Sequence, residues 1–210
     1  MDTVALFNWV YDYLNYWTIM LMMAIESSFI PFPSEVVIPP AAYKAAGGEM
    51  NVVAVVLSGT LGADIGAIIN YYLARFLGRP IVYAFANSRI GHMCLIDEAK
   101  VRKAENYFAE HGALSTFVGR LVPAVRQLIS IPAGIARMSF SKFILYTTLG
   151  AMAWNTVLAA IGYYLYGIVG DKEALLKQIS IYNSQIGYAM FALGAFVIAY
   201  LVYQGMRPKK

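Results

Sequence analysis

The chain has 210 residues, of which 60% are hydrophobic and only 13% charged. An ordinary soluble domain is about 45–50% apolar, so that class is excluded. The net charge of +4 is small and the basic residues form no continuous stripe, so no nucleic-acid partner is expected.

The composition instead fits an all-α integral membrane protein with a single membrane domain, residues 1–210. Residues 4–23 read as an amphipathic or tilted helix rich in Trp9, Tyr11, Tyr13, Tyr16 and Trp17, aromatics that settle at headgroup level. Residues 24–46 are apolar but split by Pro31, Pro33, Pro39 and Pro40. Limbs of about a dozen residues fall short of the roughly 20 that a span needs, which predicts a re-entrant hairpin. Residues 51–76 form the first full span, closed by Arg75, Gly78, Arg79 and Pro80. Its Gly59, Gly62, Ala63, Gly66 and Ala67 make a face where another backbone can approach closely.

Residues 90–111 are the one clearly polar region. Within it, 97–110 alternate charge with Ala99, Val101, Ala104 and Phe108 at a helical period, which predicts an interfacial helix. Residues 113–138 repeat the hairpin theme, broken at Pro123, Pro132 and Gly134. A second span follows at 143–168 and a last one at 182–203, before the basic tail Arg207, Lys209 and Lys210.

Ile30-Pro31 and Pro40-Ala41 are echoed 92 positions later by Val122-Pro123 and Pro132-Ala133, and Tyr71-Tyr72-Leu73 by Tyr163-Tyr164-Leu165. The predicted unit is helix, broken hairpin and span, at about 4–76 and again at about 97–168, with one extra span at the end. Prolines in apolar segments free backbone groups that lipid cannot hydrate, so such backbone must be buried in protein or line a wet cavity. Paired interruptions in matching halves point to a transporter's binding site.

Arg75, Arg79, Arg89, Lys100, Arg102 and Lys103 surround the central loop, which the positive-inside rule places in the cytoplasm. Arg137 and Lys142 return to that side only if the second hairpin does not cross, and the C-terminus is then cytoplasmic too. The opposite side receives only Lys44, Lys172 and Lys177, offset by Glu49, Asp171 and Glu173. The two hairpins therefore enter from opposite faces, so the repeat is inverted and their tips meet near the midplane.

Five ionisable residues lie in these apolar segments: Glu26, Glu35, Asp64, Arg120 and Arg126. Each costs roughly 2.5–3.5 kcal/mol at a helix centre, so they must face one another or water. Arg120 and Arg126 flank Pro123, and a broken helix between them aims both guanidiniums into one cavity, where their forks suit phosphate. They are also placed to pair with the acidic hairpin, and a carrier can use both arrangements in alternation. Glu26 and Glu35 flank the first break, where burial and a nearby arginine set a carboxyl's proton affinity in opposite directions. Asp64 either pairs with an arginine or bonds a neighbouring backbone, and Asn70, Tyr71 and Asn155 read as packing or hydrogen-bonding residues.

His92 and His111 read as solvated, and the single Cys94 allows no intrachain disulfide. There is no zinc spacing, phosphate loop or nucleophile elbow, so no metal, cofactor or enzyme chemistry is expected. Nor does the N-terminus, with Asp2 and Asp12, read as a cleavable signal peptide.

Two motifs resemble those of the DedA family of bacterial membrane proteins, relatives of the VTT-domain lipid scramblases. One is Glu26-Ser27-Ser28-Phe29-Ile30-Pro31-Phe32-Pro33-Ser34-Glu35. The other is Gly119-Arg120-Leu121-Val122-Pro123-Ala124-Val125-Arg126, with Ala133-Gly134 and Met138 downstream. The resemblance covers about residues 24–167. It implies two opposed re-entrant hairpins in the bacterial cytoplasmic membrane and proton-motive-force-dependent carriage of lipid-linked phosphate. It puts the family's essential acidic pair on Glu26 and Glu35 and its essential arginines on Arg120 and Arg126. Many members have Pro-Gly-Asp where this chain has Pro33-Ser34-Glu35, a longer carboxylate, and Asp64 matches no family position securely.

The expected protein is a flippase for a lipid phosphate, undecaprenyl phosphate first. Arg120 and Arg126 bind the phosphate, and Glu26, Glu35 and Asp64 are the proton-coupling candidates. Pro31, Pro33, Pro123 and Pro132 break the hairpins. A carrier or scramblase of phosphatidylethanolamine or another phospholipid is the nearest alternative, and a lipid phosphatase or an assembly scaffold ranks below it. The partners are membrane lipids, with room for a homo-oligomer.

Overall fold

A computed structural model describes residues 11–28, 36–87, 98–122, 125–168 and 175, and every regular element among them is helical. Glu35, Pro31, Pro33, Pro123, the centre of the polar loop and the span expected at 182–203 lie outside the described residues.

The first helix described in full, α1, runs Tyr16–Glu26. The sequence predicts a helix over 4–23 and a new element from 24. Residues 4–10 lie outside the described residues, Tyr11 and Asp12 are helical, and α1 starts afresh at Tyr16 and runs on to Glu26. Asn15 sets the start: its Oδ1 accepts from the Trp17 and Thr18 backbone N–H groups at 3.0 Å each, and Thr18 Oγ1 accepts from the Asn15 N–H at 2.9 Å. Such a cap contributes about 1 kcal/mol, enough to fix a boundary inside an apolar run. α2 is Ile38–Ala46, with Pro39 and Pro40 in its first turn, where a missing N–H costs nothing.

α3, Val52–Leu73, is capped by Asn51, whose own N–H donates to Tyr16 Oη at 2.8 Å. The span does not close at Phe76 as expected. A π-helical turn, Ala74–Gly78, carries it into α4, Arg79–Ala86. Pro80 cannot donate to the Phe76 carbonyl, and the wider turn absorbs the defect without ending the helix.

α5 runs Glu98–Leu121 without interruption, about 36 Å at 1.5 Å per residue. The expected interfacial helix and the first limb of the second hairpin are therefore one element. The change from polar to apolar near Gly112 is a change of surroundings, not of backbone, and one helical glycine costs only about 1 kcal/mol. After the break come α6, Val125–Leu128, and α7, Ser130–Ile135. Pro132 separates these two because it has no N–H for the Leu128 carbonyl. α8, Phe140–Leu165, is the second long helix.

Among the described residues, two helices are long and apolar enough to cross a membrane, Val52–Ala84 and Phe140–Leu165. The exposed face of α3 carries Val53, Leu57, Leu61, Ile65 and Ile69, every fourth residue, while its small residues are buried. A Cβ at Gly62 or Gly66 would collide with the Met20 or Ala24 carbonyl, so α1 lies directly on α3. Large apolar groups outside and small ones inside is the pattern of a helix solvated by lipid.

The packing is reciprocal. α1 lies on α3 and α5 on α8, each limb against the span that follows it, whereas α2 lies on α8 and α7 on α3. Gly162 of α8 makes room for the Pro39 backbone, and Gly134 of α7 abuts the Tyr71 carbonyl of α3. One apolar cluster joins Ile19, Val37, Ile38, Val55, Trp154 and Leu158, and a second joins Ala67, Tyr71, Phe108, Ala133 and Phe143. α3 and α8 are therefore antiparallel. Buried Thr60 and Asp64 on one span, and Thr147 on the other, fall between the two clusters.

Candidate functional site

Three helices deliver charge to the gap between the clusters. Glu26 is the last residue of α1, Arg120 lies in the final turn of α5, and Arg126 is in α6 beyond the break. All three are buried, at 3%, 4% and 7% exposure, and they line one cavity with Ser27, Gln127, Trp154 and Asn155. The cavity measures about 10 Å³, room for about one water. This is a closed site.

Arg126 forms a short salt bridge to the Glu26 carboxylate, which also accepts from Gln127 Nε2 at 3.3 Å. The Arg126 guanidinium stands 5.1 Å from the Trp154 ring, a cation–π contact that holds it from the other side. Burial makes the pair costly to break from one side, about 3–5 kcal/mol, because the remaining charge is stranded.

Arg120 is held differently. It donates to Ser27 Oγ at 3.0 Å and to Ser130 Oγ at 3.3 Å, and its Nε has no hydrogen-bond partner. Among the described residues no carboxylate touches it, although Glu26 and Asp64 act on it through space. Its stem packs against Gly150 of α8, where a side chain would displace it. A buried guanidinium with neutral partners and a spare donor is equipped for an anion.

Asp64 does not line the cavity. Its Oδ2 accepts from Thr148 Oγ1 at 2.7 Å and so joins the two spans, while its Oδ1 has no partner among the described residues. Asn70 Nδ2 donates to the Ser27 carbonyl at 3.0 Å and the Gln127 carbonyl at 3.5 Å, tying the end of α1 and α6 to α3. Asn155 donates to Thr60 Oγ1 at 3.3 Å, and Tyr71 Oη to the Met138 carbonyl at 2.5 Å. These are the hydrogen-bonding roles the sequence suggested. Ser130, Gln127 and Trp154 were not foreseen. A buried serine or glutamine has no spacing signature, and only position, four residues beyond Arg126 for Ser130, marks it as facing the same way.

The class defined here is a helical membrane protein closed around a buried arginine–carboxylate cluster. The chain belongs to the DedA family: the VTT domain matches residues 32–164. It is 35% identical over 141 residues to undecaprenyl phosphate transporter A of Bacillus subtilis, covering 67% of this chain and 69% of that protein. It is 30% identical over 195 residues to an "alkaline phosphatase-like protein" of Lactococcus lactis subsp. lactis, covering 92% and 88%. Protein DedA of Escherichia coli is 26% identical over 171 residues, covering 81% of this chain and 75% of its own. No solved structure matches the chain.

Proposed function

We propose that this protein is a proton-motive-force-dependent flippase that carries a lipid phosphate, undecaprenyl phosphate first, across the bacterial cytoplasmic membrane. The observation that carries the reading is Arg120, a buried guanidinium with two hydroxyl partners and a free Nε, beside an arginine already bound to a carboxylate. A lipid phosphate would take the place of Glu26 on Arg126 and fill the open valence of Arg120, its tail remaining in the bilayer. A phosphate is larger than the present cavity, so loading requires Glu26 to give way. Protonation of Glu26 weakens its hold on Arg126 and opens the site, and deprotonation expels the headgroup. Glu35 shares the proton load, and Asp64 serves as a counter-charge for Arg120.

The two hairpins are re-entrant and enter from opposite faces, with the central loop and C-terminus cytoplasmic. The distribution of basic residues and the reciprocal packing of α2 on α8 and α7 on α3 support that topology. The named transporter among the relatives supports the substrate class.

The test is to purify the chain with its native lipid and identify that lipid by mass spectrometry. Undecaprenyl phosphate should be enriched, and Arg120→Gln should lose it. Equal retention by the variant, or enrichment of phosphatidylethanolamine instead, overturns the assignment. The phosphatase-like name of one relative gives a second reading, which release of inorganic phosphate from the same lipid would establish.

A further inference from the structure

An open cleft of about 700 Å³ lies outside the charged cavity, where the π turn and α4 face α5. Four arginines line it: Arg75 and Arg79 from the span, Arg102 from α5 and Arg137 from the segment after α7. Glu105 is the one carboxylate among the described lining residues, and it is committed to Arg79 at 3.1 Å and to the Tyr83 hydroxyl at 3.0 Å. Arg102 pairs with Glu98 at 2.6 Å, but both side chains are open to solvent, at 67% and 39% exposure, and such a pair yields readily. Arg75 has a neutral partner, the Tyr71 hydroxyl at 2.5 Å. The Arg137 side chain makes no hydrogen bond or ion pair among the described residues.

The backbone at Arg137 is a second, independent observation. Its φ is 52°, the one left-handed non-glycine conformation among the described residues. It ends α7 in a Schellman-type cap, with Arg137 N–H on the Gly134 carbonyl at 3.0 Å and Met138 N–H on the Ala133 carbonyl at 3.1 Å. Glycine is the ordinary residue there, and a side chain costs about 1–2 kcal/mol. Attraction between the guanidinium and the helix end offsets only about 0.3–1 kcal/mol of that. Strain held at a binding surface is a mark of function. Phe76, 68% exposed, and Pro80 give the cleft an apolar lip continuous with the outer face of the span.

We propose that this cleft is a second anion site, which binds a phosphate group through Arg75 and Arg137 with Arg102 in reserve. The chemistry fits a phospholipid headgroup or a free phosphate alike. The inference concerns equilibrium binding at the end of the span and stands whether or not the inner cavity transports lipid.

The experiment is calorimetric titration of the full chain in an uncharged detergent with two probes, dihexanoyl phosphatidic acid and inorganic phosphate. Arg137→Gly should weaken binding about tenfold, Arg75→Gln with Arg137→Gly further, and Lys44→Gln, at the other end of the spans, should bind within about twofold of the parent. Arg137→Gly should also unfold at a higher temperature than the parent, since glycine relieves the left-handed strain, so its loss of binding is not a loss of fold. Tighter binding of phosphatidic acid identifies a lipid headgroup, and equal affinities identify the free anion. Binding of neither probe, undiminished binding by Arg137→Gly, or an equal loss in Lys44→Gln overturns the proposal.

Discussion

On the proposed function, the Glu26–Arg126 salt bridge is the contact that a phosphate would have to break, so the carboxylate is where coupling is tested. Glu26→Gln keeps an oxygen for Arg126 but removes the charge that a proton would neutralise. Flipping by this variant in vesicles should continue without responding to an imposed pH gradient, whereas the parent should accelerate when the gradient is applied. Asp64→Asn retains an acceptor for Thr148 and should keep the gradient response, with a rate change of about fivefold at most. If Asp64→Asn also becomes indifferent to the gradient, the proton path includes Asp64. Asn70→Ala strands the Ser27 and Gln127 carbonyls and should lower stability by about 1–3 kcal/mol in denaturant titration. At this scale the sequence marked the charged residues well, because a charge in an apolar run has no ordinary reason to be there. Ser27 and Ser130, the hydroxyls that hold Arg120, carry no such mark, and only the fold brings them to it.

Helix boundaries were harder to read than helix identity. The long apolar helix from Val52 and the end of α5 at Leu121 were legible from apolar length and from Pro123. The start of α1 at Asn15 was hidden because a capping asparagine looks like any polar residue in an aromatic run. The unity of α5 was hidden because polarity changes along it while helical geometry does not. Continuation through Ala74–Gly78 was unexpected because Arg75, Gly78 and Pro80 resemble a stop, yet a π turn accommodates the proline. Close contact between α1 and α3 gives an element-scale test. Gly66→Ala forces a methyl into the Ala24 carbonyl and should destabilise by about 1–3 kcal/mol. Leu61→Ala, on the outer face of the same helix with 57% exposure, should change the unfolding temperature far less. Equal sensitivity at the two positions would mean that α1 does not lie on that face.

Taken as a whole, the described helices pack crosswise on two antiparallel spans: α2, just before α3, lies on α8, and α7, just before α8, lies on α3. On the proposed function, this crossing is what would let one half rock against the other around the charged centre. Its topology is testable in a Cys94→Ser background. Glu49→Cys should react with a membrane-impermeant thiol reagent in intact cells, and Lys142→Cys only after permeabilisation, because the two positions lie at opposite ends of the antiparallel spans. Labelling of both from one side would reject opposed hairpins.

The most direct test of the central claim is the rate at which labelled undecaprenyl phosphate crosses vesicles holding the parent or Arg120→Gln. The account predicts catalysed crossing by the parent and a loss of about a hundredfold in the variant, whose buried charge-assisted donors are gone. Crossing at the parent's rate by Arg120→Gln, in correctly folded protein, would contradict it.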